Sequence, residues 1–157
     1  MNIHCMKCME EYDDEYDVCP HCGYVRGTEA DEIYYMKPET VLYDRYIVGT
    51  VVGFGGFGIT YKAWDIQMEK TVAIKEFFPS SLVSRDDDGV TVNLYSEKNR
   101  EEFDRGLLRF LEEGKRKKTR FVPGLFLLQH VECHENHKSR KNQKYRQKQQ
   151  QADGPDF

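Results

Sequence analysis

The sequence predicts an α+β fold: an antiparallel sheet with one helix, preceded by a small cysteine-bracketed ribbon. Three observations predict it. Cysteines recur as two C-x2-C pairs near the start, at Cys5/Cys8 and Cys19/Cys22. Three runs rich in β-branched and aromatic residues then follow one another across short turns. Beyond them, one stretch places apolar residues at helical spacing.

The ribbon comes first. Cys5-Met6-Lys7-Cys8 and Cys19-Pro20-His21-Cys22 are separated by ten residues, a spacing typical of a four-thiolate zinc site. Each C-x2-C turn brings two sulfurs to one side of a tetrahedral ion, and Gly23 lets the chain turn so that amides face them. His4 and His21 are bystanders if all four thiolates bind. Disulfides are the alternative use of these cysteines, but no secretory signal precedes them. So short a segment buries little core, and zinc is expected to supply its folding free energy, on the order of 10 kcal/mol. Between the knuckles runs Glu10-Glu11-Tyr12-Asp13-Asp14-Glu15-Tyr16-Asp17, which disfavours nucleic acid. A protein partner or a purely structural role remains. The ribbon is placed at residues 1–26, and residues 27–40 read as a polar linker.

The sheet carries the chemistry. Arg45–Val52 reads as a strand entering Gly53-Phe54-Gly55-Gly56-Phe57-Gly58, Ile59–Trp64 as the returning strand, and Lys70–Phe77 as a third. Glycines 53, 55 and 58 spell G-x-G-x-x-G, and Val72-Ala73-Ile74-Lys75 follows. A Rossmann turn would open a helix here, and a Walker A loop would continue as Gly-Lys-Ser/Thr. Neither occurs. A glycine-rich hairpin of some other β domain is the competing reading. Strand, glycine turn, strand and strand-with-lysine is the nucleotide-binding signature of protein kinases, in which glycines admit phosphates to the backbone and a lysine holds them.

Gly-Phe-Gly-Gly-Phe-Gly-Ile-Thr-Tyr, together with Ile74-Lys75-Glu76-Phe77-Phe78-Pro79, resembles a group of bacterial serine/threonine kinases. That group places Glu, two aromatics and Pro after the lysine, then a short Arg-containing insertion, which Ser84-Arg85-Asp86 matches loosely. The resemblance implies an ATP-binding small lobe spanning residues 41–114. Its nucleotide-contacting set is Val52, Gly53, Phe54, Gly55, Gly56, Phe57, Gly58, Thr60, Ala73, Lys75 and Glu113. Thr60 stands where the motif has a valine against adenine, and its hydroxyl makes that surface less apolar.

Ser96 can cap a helix over about Glu97–Glu113, with Phe103, Leu107, Phe110 and Leu111 forming its apolar stripe. Gly106 within it costs about 1 kcal/mol relative to alanine. Phe110-Leu111-Glu112-Glu113 resembles the F-L-x-E of the family, which nominates Glu113 as partner of Lys75. Glu112 is the competitor.

Charge divides the chain near Gly114. Residues 1–114 carry 12 Lys+Arg against 23 Asp+Glu, and residues 115–157 carry 11 against 4, for the overall −4. No His-Arg-Asp, Asp-Phe-Gly or Ala-Pro-Glu occurs, so no catalytic residue is assigned and no turnover is expected. In an intact kinase, magnesium would accompany ATP and a protein would be the substrate. The abrupt loss of motif after Glu113 leads to the expectation of a truncated frame followed by out-of-frame translation, which the underlying nucleotides decide. Residues 115–157 are expected to be a basic, disordered tail. Its Lys/Arg clusters and His130, Cys133, His134 and His137 raise nucleic-acid and metal alternatives, which lack interleaved aromatics and a second ligand pair respectively. No apolar run is long enough to span a membrane, and a cytoplasmic setting is expected. A zinc-dependent interaction module on a non-catalytic kinase-like scaffold is the rival functional reading.

Overall fold

The computed structural model describes residues 1–117, 120–122 and 126–129. The N-terminal hairpin pairs β1 (Asn2–His4) with β2 (Glu11–Asp13), setting Ile3 opposite Tyr12. A six-stranded antiparallel sheet follows, in the order β3-β4-β5-β6-β10-β9. Its strands are β3 (Val41–Leu42), β4 (Tyr46–Gly55), β5 (Gly58–Asp65), β6 (Lys70–Phe77), β9 (Arg120–Val122) and β10 (Phe126–Gln129). A two-stranded hairpin, β7 (Val83–Arg85) with β8 (Val92–Leu94), is inserted between β6 and the helix.

The three expected strands are present, and β6 has the bounds read from the sequence. The sheet nevertheless holds more strands than expected. β9 and β10 fall in the stretch expected to be disordered, and β10 pairs with β6 through Phe126↔Glu76, Leu127↔Lys75 and Leu128↔Ile74. The physical reason is backbone satisfaction: β5 covers one edge of β6, and the buried groups along its other edge need partners too. The remainder of the tail, including His130, Cys133, His134 and His137, lies outside the described residues.

The helix also differs at both ends. Ser96 does cap, its Oγ accepting from the Lys98 amide at 3.3 Å, but the turn it caps is the 3-10 segment Glu97–Asn99. The α-helix α1 (Arg100–Arg116) continues past the charge reversal at Gly114 without interruption. Gly106 has a packing reason. A Cβ there would meet the Phe77 ring at 3.0 Å, so glycine lets α1 settle on Phe77, which contacts Phe103 and Phe110 at 5.1 and 5.4 Å between ring centroids.

Side-chain alternation divides the sheet. Tyr46, Val48, Ile59, Tyr61, Ala63, Val72 and Ile74 form the main core together with Phe78 and Val83, while Phe77 and Phe110 form a second cluster under α1. The connector is not merely polar. Met36 is 1% exposed within the main core, and Tyr34 and Tyr35 pack against it. Three consecutive apolar-bodied residues are enough to dock a segment whose other positions face water. Among the described residues, no helix is long and apolar enough to cross a membrane.

Candidate functional site

β4 and β5 join through the two-residue turn Gly56–Phe57, with Gly55 opposite Gly58. The register then sets Gly53, Thr60 and Lys75 side by side in one row across three strands, with Ala73 one step along, opposite Lys62. The glycines differ in their reasons for being glycine. A Cβ at Gly58 would overlap the Glu76 carbonyl, a demand of strand packing. Gly55 and Gly56 face open space, Gly53 would meet only Thr60 Cβ at 3.9 Å, and none of the three has a positive φ. Neither packing nor backbone conformation requires glycine at those three positions. What their bareness provides is unobstructed access to the backbone.

Lys75 and Glu113 meet. Lys75 Nζ lies 3.7 Å from Glu113 Oε2 and 5.5 Å from the Phe110 ring centroid. Glu113 is shared, because Lys117 Nζ donates to its Oε1 at 2.7 Å. The Lys117 hydrogen bond, then the Lys75 charge, hold the Glu113 carboxyl below its ordinary range. Glu112 is exposed. A recess beside this pair is lined by Phe57 at the tip of the β4–β5 glycine hairpin, hereafter the lid, by Phe110 and Glu113 of α1, and by Lys117 just after it. Thr60 is half-buried and Ala73 buried, whereas Val52, Phe54 and Phe57 are exposed. Phe54 leans on the connector, 5.6 Å from Tyr34 and 6.1 Å from Tyr35.

One polar network behind the lysine strand was legible only as a loose motif match. Glu76 is fully buried, and Arg85 grips both its oxygens at 2.6 and 2.7 Å. Arg85 donates further to the Tyr34 carbonyl (2.8 and 3.0 Å) and the Val90 carbonyl (2.9 Å). The Tyr61 hydroxyl donates to Glu76 Oε2 at 3.0 Å and accepts from the Met36 amide at 3.1 Å. Burial, then the adjacent Glu76 carboxylate, push the Tyr61 hydroxyl far above the usual phenol range, so it remains a donor. The network ties β5, β6, the inserted hairpin and the connector into one body. The signal in the sequence was Glu76, a carboxylate between the apolar Val72-Ala73-Ile74 run and Phe77-Phe78, together with the nearby Arg85.

At the other end of the lid strands sit the cysteines. The Sγ atoms of Cys5, Cys8, Cys19 and Cys22 all lie within 4.8 Å of one another, with Cys5–Cys22 at 3.5 Å and Cys8–Cys19 at 3.8 Å. Zinc–sulfur bonds of about 2.3 Å in a tetrahedron set sulfurs about 3.8 Å apart, whereas a disulfide needs about 2.05 Å. The cluster is therefore compatible with zinc. The Lys7 amide donates to Cys5 Sγ at 3.4 Å, as the knuckle turn requires. Burial raises the Cys8 and Cys22 thiols, whereas at Cys5 burial is outweighed by the amides of Cys8 and Lys7, which lower it. The histidines are engaged elsewhere. His4 stacks on Trp64 at 3.7 Å, and His21 Nε2 lies 3.0 Å from the Glu11 carbonyl oxygen.

The residue after each knuckle is left-handed: Gly23 at φ 75° and Met9 at φ 64°. For methionine this conformation costs about 1 kcal/mol. Its side chain is buried against Gly49.

No protein-family model and no curated protein matches this chain. Among solved structures it is similar to PpkA-294 in its apo form, a bacterial serine/threonine kinase fragment. Identity is 30%, the TM-score is 0.56, and the match covers 60% of this chain and 38% of that one. The fold is kinase-like. The chain thus spans well under half the length of the structure it matches.

Proposed function

We propose that this chain is the ATP-binding part of a serine/threonine protein kinase, carrying a structural zinc in its N-terminal ribbon. The observation that carries the proposal is the row Gly53–Thr60–Lys75, with bare glycines over open space at one end and a lysine held by Glu113 at the other. In this reading the amides of residues 54–58 cover the phosphates, and Lys75 neutralises the α- and β-phosphates. Glu113 aims Lys75, while Val52, Thr60 and Ala73 meet the base. Magnesium, when bound with the nucleotide, would supply charge neutralisation between phosphates. The chain has no His-Arg-Asp or Asp-Phe-Gly of its own, so nucleotide binding is assigned to it and phosphoryl transfer is not. A protein Ser/Thr substrate belongs to an intact kinase, and a cytoplasmic setting would keep four unbridged thiols reduced.

Calorimetric titration with Mg-ATP, alongside zinc quantification, tests this. We expect weak but measurable binding that falls at least tenfold in Lys75→Met, one zinc per chain, and no transfer of radiolabelled phosphate. Equal affinity in Lys75→Met, or labelled product from the purified chain, would overturn the assignment. The rival reading, a zinc-dependent interaction module, predicts partner binding untouched by Lys75→Met. Docking of the ribbon against the sheet supports the structural role for its zinc.

A further inference from the structure

We infer that the first cysteine knuckle is a positioning element for the glycine lid, with His4, Met6 and Met9 as its positioning residues. The inference rests on the cysteine cluster holding zinc.

The geometry is specific. The two residues enclosed by Cys5 and Cys8 are the ones that bond the lid strands. The Thr50 amide of β4 donates to the Met6 carbonyl at 2.9 Å, and Lys62 Nζ of β5 donates to the Lys7 carbonyl at 3.1 Å. The Met9 amide closes the C-x2-C turn on the Cys5 carbonyl at 2.9 Å, which faces those carbonyls to the strands, and an ion on Cys5 and Cys8 would hold the turn closed. On the N-terminal side, His4 stacks on Trp64 of β5, with centroids 3.7 Å apart and planes 26° from parallel. On the C-terminal side, Met9 is buried in a left-handed conformation, and a Cβ on Gly49 would overlap both the Met9 methyl and the Met6 carbonyl.

The contacts sit where they can matter. β4 is irregular between Val48 and Gly53, with register shifts on either side of Val51. Thr50 lies within that irregularity, so its amide takes the knuckle carbonyl where the ladder to β5 is broken. By alternation, Lys62 and Trp64 share a face of β5 with Thr60. The knuckle therefore braces the strands on the face that carries the Thr60–Lys75 row, three residues before the first lid glycine. A ribbon meant only to fold itself would not need a bare glycine in β4 opposite Met6 and Met9.

The test uses the full chain. Zinc is quantified, then removed with a chelator, and amide hydrogen exchange is followed across β4–β5, with α1 and the β7–β8 hairpin as references. We expect exchange in 49–60 to accelerate at least tenfold while α1 changes less than twofold, and emission of Trp64, the only tryptophan, to shift. Gly49→Ala and Met9→Gly should reproduce both signatures with zinc still bound at one per chain. Met9→Gly introduces no clash, unlike Gly49→Ala, and so provides the second variant. Zinc that binds and leaves without altering exchange in 49–60 overturns the inference, as does equal acceleration of every element. A chain that never binds zinc instead refutes the metal assignment, a separate result.

Discussion

Glu76, the residue after Lys75 in β6, and Arg85, in the inserted hairpin, illustrate how much one buried charge pair can hold. Both side chains are almost wholly removed from water, and every polar side-chain atom buried among the described residues has a partner. Removing one partner leaves the other charged and desolvated, which costs about 3–5 kcal/mol. Arg85→Met should therefore unfold at markedly lower urea concentration, whereas Arg85→Met with Glu76→Leu should recover part of the loss. If the double variant is no more stable than the single one, the pair is not the unit described. Gly58→Ala tests the close approach of β5 to β6. Its Cβ overlaps the Glu76 carbonyl, and a cost of about 1–3 kcal/mol is expected, whereas alanine at Gly55 or Gly56 should leave stability within about 0.5 kcal/mol. Those two substitutions should weaken Mg-ATP binding instead, a separation that calorimetry and urea unfolding together would read.

Two element-scale arrangements make their own predictions. α1 leans on the sheet through Phe77, Phe103 and Phe110, and Phe110 also faces Lys75. Phe110→Ala should cost about 3–5 kcal/mol by cavity formation, seen as a lower urea midpoint, and should loosen Lys75 as a by-product. At the β5–β6 turn, Asp65 accepts from Arg45 Nε at 2.9 Å and Nη2 at 2.7 Å, and from the amides of Gln67 and Met68. Burial alone would raise its carboxyl, but the Arg45 hydrogen bond and those amides outweigh it and hold the group below the ordinary range. With the folded value depressed, the stabilisation is complete above the unfolded value near about 3.9 and is lost as pH falls through the folded one. Asp65→Asn should thus cost about 1–3 kcal/mol at pH 7 and little at pH 2. An equal loss at both pH values would show that the charge is irrelevant.

For the whole molecule, the chain from sequence to site can be followed part by part. The glycine spacing and the Val-Ala-Ile-Lys run made the lid hairpin and β6 readable because a two-residue period and short turns are local properties. The cysteine spacing was readable for a similar reason, since ligand pairs two apart describe one turn. The connector was misread because Tyr34, Tyr35 and Met36 are too few to form a periodic pattern, and their burial depends on a surface built by distant strands. β9 and β10 escaped notice because basic composition around a short apolar stretch resembles a solvated tail. What recruited that stretch was the unpaired edge of β6. α1 likewise ran through the charge reversal because helix continuity answers to backbone bonding and packing, not to net charge.

By itself, then, the sequence determined the local chemistry: two thiolate pairs, a glycine hairpin, a lysine at the end of a strand and a helix bearing a candidate carboxylate. Only the tertiary structure decided which of these meet. It selected Glu113 over Glu112, shared that carboxylate between Lys75 and Lys117, buried Glu76 against Arg85 and set the knuckle against the lid strands. The physical reason is that spacing along a chain fixes what a few neighbouring residues can do, while contacts between elements far apart in sequence follow from burial and from backbone groups that must all find partners.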